Sequence, residues 1–120
     1  LAGSSAWFEG GVVSYSNAAK SAVLGVSADD IETQGAVSET VARQMALGAR
    51  SRLGVDAAVA VTGIAGPDGG TADKPLGTVW FGWVAGDEPV EAECVRFDGD
   101  REAVRRQTVA HALDGLLRRL

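Results

Sequence analysis

The chain predicts a single layered α/β domain over residues 1–120 with a mixed sheet, and three observations predict it. A short apolar run, Ala57 to Val61, stops abruptly in a loop that reaches Gly77 and holds five glycines and two prolines between Val61 and Gly77. Two β-rich runs, Thr78 to Ala85 and Val90 to Phe97, are joined by the turn Gly86-Asp87-Glu88-Pro89 and read as a hairpin. Two long segments, Ser38 to Leu53 and Asp100 to Leu120, carry apolar stripes at helical spacing and need a sheet to cover them.

In chain order, LAGSSAWF mixes small residues with two aromatics: Ser4 and Ser5 suit a capped turn, and Trp7 and Phe8 anchor it to the core. A strand is expected from Phe8 to Tyr15, because GGVVSY is β-branched and ends in an aromatic. Asn17 suits the N-cap of a short helix through Lys20 to Leu24, with Gly25 as its stop. Ser27-x-x-Asp30 opens a second short helix to Gln34, its acids lying where the helix dipole favours negative charge. Ser38 opens a third, with Val41, Ala42, Met45, Ala46 and Leu53 on one stripe and Gly54 after it. Ala57 to Val61, small and β-branched, reads as the central strand, packed on both faces. Asp100 is the expected N-cap of the last helix, whose wide stripe includes Val104, Val109, Ala112, Leu113 and Leu117.

Composition removes several functions. A net charge of -5 and a pI near 4.7 argue against general nucleic-acid binding, which needs a basic face. Cys94 is the only cysteine, so neither an intrachain disulfide nor a cysteine metal site can form, and a reducing cytoplasmic setting is expected. With His111 the only histidine, a histidine triad or zinc site has little to build on; no metal, cofactor or membrane partner is expected. The glycine loop has neither G-x-G-x-x-G nor Walker spacing.

What the loop does have is Gly63, Gly66, Gly69 and Gly70 just beyond the carboxyl end of a buried strand, where α/β sheets collect ligands. Bare backbone amides there suit an anion or a carbonyl group. Three stretches are expected to meet at one crevice: Tyr15 to Lys20, Thr62 to Gly66, and Gly99 to Arg105. Desolvated, Lys20 can act as a general base; the competing reading is a solvated helix lysine. Tyr15 either donates to substrate or is an edge aromatic with a wet hydroxyl. Arg101 and Arg105 lie one turn apart at a helix N-terminus, against the dipole, and a bound phosphate would relieve that cost. Alternatively Arg101 pairs with Asp98, and Arg105 belongs to a solvated face.

Four segments, GSSAWFEGGVVSYSNAAK, GAVSE at Gly35 to Glu39, VTGIAGPDGG followed by KPLGTVWF, and FDGDREAVRRQ, together closely resemble the CinA C-terminal domain family, the nicotinamide-nucleotide amidases. The resemblance spans nearly the whole chain. It implies a three-layer α/β/α fold with a mixed sheet, the family's first strand and helix missing here, in a homodimer. It implies hydrolysis of nicotinamide mononucleotide to nicotinic acid mononucleotide and ammonia, in pyridine nucleotide salvage, by a serine and a lysine without a metal. Lys20, in Y-S-N-x-x-K, matches the catalytic lysine and Tyr15 the active-site tyrosine. Thr62, Gly63, Ala65 and Gly66 match the loop along the nucleotide, and Arg101 and Arg105 the arginines at its phosphate. The family's serine lies in A-E-S-C-T-G-G, upstream of the position of Leu1; Ser4, Ser5 and Ser16 do not match it. The chain alone is therefore expected to be inactive. Two other readings stay open: a nucleotide-binding domain that leaves the amide intact, and a partner domain that exposes Trp80, Phe81 and Trp83.

Overall fold

A computed structural model describes residues 1–120. After a single 3-10 turn at Ser4–Ala6 come α1 (Asn17–Leu24), α2 (Ala28–Gln34) and α3 (Glu39–Leu53), then β1 (Ala57–Gly63), β2 (Thr78–Ala85), β3 (Glu91–Arg96) and α4 (Arg101–Arg119). The three strands lie in the order β1-β2-β3 and pair antiparallel, with Val59 opposite Trp83 and Trp80 opposite Cys94.

Alternation along β2 builds the layers. Phe81 and Trp83, with Val79, point to one side and bury against Val104 and Ala112 of α4. Val84, with Ala60 of β1, points to the other side and packs on Leu24, Ile31, Val41 and Met45 from α1, α2 and α3. The result is an α/β/α arrangement of three layers. Phe81 and Trp83 stack 5.4 Å apart and are fully buried, the Trp83 Nε1 donating to Ala112 O at 3.0 Å. That burial takes Phe81 and Trp83 out of any exposed partner surface, while Trp80 is half-buried. His111 completes the cluster, its ring 4.7 Å from Phe81 and its Nε2 2.5 Å from Glu93 Oε1, which binds α4 to β3.

Four expectations are corrected. Trp7 and Phe8, expected to anchor the first turn to the core, are largely exposed. Residues 8–15 run extended without joining the sheet, and Val13 and Tyr15 stand in solvent. The segment passes the far end of α3, where Gly10 lies against Leu53, and so finds no strand to pair with. Consequently β2 is the central strand, β1 is an edge, and no parallel pair makes the sheet of this chain mixed. Only half of the α4 stripe is buried: Val109, Leu113 and Leu117 face outward. Cys94, in the edge strand β3, is exposed.

Local signals placed the helix starts well. Ser16, one residue before the expected Asn17, caps α1 by accepting from Ala19 N. Ser27, Ser38 and Asp100 cap α2, α3 and α4 as their spacing predicts. Ser38 does more, because its buried Oγ also donates to Gly35 O at 2.8 Å while accepting from Val41 N at 3.3 Å. Ser38→Ala strands both partners, and about 1–2 kcal/mol of stability should go with them. Thermal denaturation checks this, the expected shift being several degrees downward; an unmoved midpoint would show that water replaces the hydroxyl at no cost.

Candidate functional site

The loop after β1 is built on a continued ladder: Ile64 N donates to Thr78 O at 2.9 Å and Gly77 N to Ile64 O at 2.7 Å, which closes its neck. Beyond the neck, Gly66 and Gly69 have φ of 93° and 103°, which only glycine adopts without strain. The first turn of α4 reaches this loop directly. Arg101 Nη1 donates to Gly66 O at 2.9 Å, so Arg101 does not pair with Asp98, which instead lies 3.7 Å from Arg96.

Beside that contact runs a groove of about 250 Å³, in which Val61, Gly63 and Ala65 face Val104, Arg105 and Val109. Its walls are mostly apolar. Arg105 is exposed and has no carboxylate within ion-pair distance, whereas Arg106, Arg118 and Arg119 each have one. The site thus offers one guanidinium already fixed to the loop and a second that is free, on an apolar floor. That combination suits a flat ring carrying an anionic group.

The other sequence candidates fall elsewhere on the framework. Thr62 is buried, and its Oγ1 turns away from the groove to donate to Ala36 O at 2.8 Å in the α2–α3 turn. Lys20 is also buried, on the α3 side of the sheet; its Nζ donates to Ser14 O at 3.0 Å and to Tyr15 O at 3.5 Å. It is no solvated helix lysine. Burial pushes its ammonium below the ordinary lysine pKa of 10.5, because the charged form loses more hydration than the two carbonyls return. Tyr15 meets Lys20 through its backbone carbonyl, and its phenol stands in solvent, 88% exposed. The expected meeting of three stretches is therefore seen for two. Arg101 and Arg105 come to the Gly63–Gly66 loop, while Lys20 and Tyr15 form a separate pair on α1 and the segment before it. No three His, Cys, Asp or Glu side chains gather as metal ligands would, and no helix is long and apolar enough to cross a membrane.

The family model described as the CinA C-terminal domain matches residues 1–120. The chain belongs to the CinA C-terminal domain family. Among the relatives of this CinA domain, the nicotinamide-nucleotide amidohydrolase PncC of Enterobacter agglomerans is 56% identical over 118 residues, covering 98% of this chain and 72% of that protein. The protein of the same name from Escherichia coli K12 is 52% identical, over 97% of this chain and 70% of its own length. A CinA-like protein of Geotalea daltonii is 53% identical over the whole chain, which spans only 29% of that longer protein. Among solved structures, the competence/damage inducible protein CihA from Agrobacterium tumefaciens superposes with a TM-score of 0.94 at 46% identity, over 98% of this chain and 72% of that one.

Sequence reasoning missed Lys74, whose Nζ donates to Gln34 O at 2.6 Å. Nothing in its neighbourhood signals a partner 40 residues away. The apolar lining from Val109 was visible as helix stripe but was assigned to the core.

Proposed function

We propose that the polypeptide carrying this CinA domain hydrolyses the carboxamide of nicotinamide mononucleotide, giving nicotinic acid mononucleotide and ammonia, in the cytoplasm and as a homodimer. The observation that carries the reading is the 56% identity over 118 residues to a protein named for that reaction. The unpaired Arg105 beside a glycine loop is its physical counterpart. The nucleotide's phosphate would meet Arg105 and the open N–H groups of Arg101, and its carboxamide end would extend past the glycine loop toward Lys20.

In this reading a serine outside the 120 residues attacks the carboxamide carbon, and neutral Lys20 takes the hydroxyl proton. Collapse of the tetrahedral adduct breaks the C–N bond; the proton passes from Lys20 to the departing nitrogen, which leaves as ammonia. Water, deprotonated by the same amine, then splits the acyl-serine ester to free the acid and regenerate both groups. Tyr15 reaches substrate only by rotation of its exposed phenol, since its carbonyl already accepts from Lys20. Lys20 is the group best prepared for its role, being buried and held with its pKa lowered.

Ammonia release from nicotinamide mononucleotide by the intact polypeptide tests the proposal, and calorimetry with the same nucleotide runs beside it. Turnover is expected from the intact polypeptide and none from the isolated 120 residues. Binding without turnover by the intact polypeptide would reduce the domain to a nucleotide-binding module. Turnover by the 120 residues alone would place the nucleophile among them.

A further inference from the structure

Lys74 is the only cation of the loop between β1 and β2, where Asp68 and Asp73 are its acidic companions. A surface lysine so placed would ordinarily stay solvated beside a carboxylate. Here it is half-buried while residues 67–73 are all exposed, and it pairs with neither aspartate. Its ammonium donates instead to Gln34 O, the last carbonyl of α2, at 2.6 Å. Carbonyls at a helix C-terminus lack intrahelical donors and carry the negative end of the dipole, so a cation suits that position.

Both ends of this tie are fixed. Thr71 N donates to Lys74 O at 2.9 Å and Lys74 N to Thr71 Oγ1 at 3.0 Å, which closes a small turn, and Pro75 fixes the next φ. At the receiving end, Gly35 follows the acceptor with φ of 84°, and a Cβ there would lie 2.7 Å from Lys74 Nζ. The residue beside the acceptor thus leaves room for the ammonium. Across the sheet, Arg101 holds Gly66 of the same loop from α4. One cation from the α4 layer and one tie to the α2 layer span the open end of β1 and stretch the glycine loop between them.

We propose that Lys74 is a positioning residue: it fixes the glycine loop against the α2–α3 turn, so that the ligand meets a formed groove. The inference rests on the amidase reading for its substrate but not for its geometry. A loop released from one of its two anchors samples other shapes, and apparent affinity falls by the fraction of time it keeps the right one.

In the intact polypeptide Lys74→Met keeps the apolar stem and removes the donor. It should raise KM for nicotinamide mononucleotide about tenfold with kcat within about twofold, and Lys74→Arg should recover most of the loss. Amide hydrogen exchange of the ligand-free protein supplies the second readout. Exchange over residues 64–77 and 35–38 should quicken in the Met variant and stay near wild type in the Arg variant. With an active wild type, an unchanged KM in Lys74→Met overturns the proposal, as does an equal loss in both variants. If the wild type releases no ammonia, the amidase reading falls, and exchange alone decides the anchoring: unaltered protection in Lys74→Met would end it.

Discussion

Lys20→Met in the intact polypeptide is expected to cut ammonia release from nicotinamide mononucleotide at least about a hundredfold, the usual contribution of a positioned general base. The substitution suits the site. Met fills the channel of the lysine stem and removes an ammonium that burial already disfavours, so the fold should persist and circular dichroism should match wild type. The pH behaviour supplies a check that a merely structural lysine would not pass. Since the folded-state pKa lies below the ordinary lysine value, kcat/KM of the wild type should climb as pH rises and the neutral amine becomes populated. The sign for stability follows from proton binding: between the folded and unfolded pKa values the unfolded chain holds more protons, so raising pH through that window stabilises the fold. Wild-type stability measured against Lys20→Met should therefore improve on the alkaline approach to 10.5, and be lowest relative to the variant below the folded-state pKa. A variant that keeps its rate within a few-fold would remove Lys20 from the chemistry, and the two carbonyl contacts would then mark it as a clip for the segment before α1.

The features legible in the sequence are those whose cause is local. Ser27, Ser38 and Asp100 cap helices because a side-chain oxygen three residues before an orphan N–H is enough, and the Gly86–Pro89 turn joins β2 to β3 for a similarly short-range reason. Arg101 was legible too, since the first turn of a helix beside a glycine loop has few other places to reach. What failed needed a partner. Gly11 to Tyr15 has strand composition, yet a strand exists only where a neighbour accepts its hydrogen bonds, and this segment pairs with none. Val109, Leu113 and Leu117 satisfy the helical stripe as well as Val104 and Ala112 do, and only the position of the sheet decides which of them it covers. Thr62 was read by its proximity to glycines in sequence, and Lys74 was not read at all. Both in fact serve the α2–α3 turn, from 26 and 40 residues away.

Gly82→Ala should damage the framework severely, costing about 3 kcal/mol or more and lowering the melting temperature by ten degrees or so. Gly82 lies in the middle of β2, where an added Cβ would run into the carbonyl oxygen of Ala42 and come within 3.3 Å of the Ala46 Cβ. Neither is the flexible end of a long side chain. Relief would require α3 to withdraw from the sheet, and α3 is held on every side. On its far face Gly48 meets the carbonyl of Leu24 so closely that a methyl would not fit there either. Along its length Arg43 donates to Val90 O at 2.5 Å and Arg50 to Gly86 O at 2.9 Å, binding α3 to the connection between β2 and β3. The added methyl would therefore be accommodated by strain in a packed interior. Gly54→Ala is the matched control: Gly54 has φ of 63° but nothing within 4 Å of a new Cβ, so only the conformational cost of about 1 kcal/mol should appear. Chemical denaturation of the two variants separates close approach from backbone preference, and equal losses would mean that α3 yields freely. The comparison bears on the site as well, because the turn that receives Lys74 and Thr62 leads directly into α3. A shift of that helix should raise KM for the nucleotide in Gly82→Ala, whereas Gly54→Ala, at the opposite end of α3, should leave KM where it was.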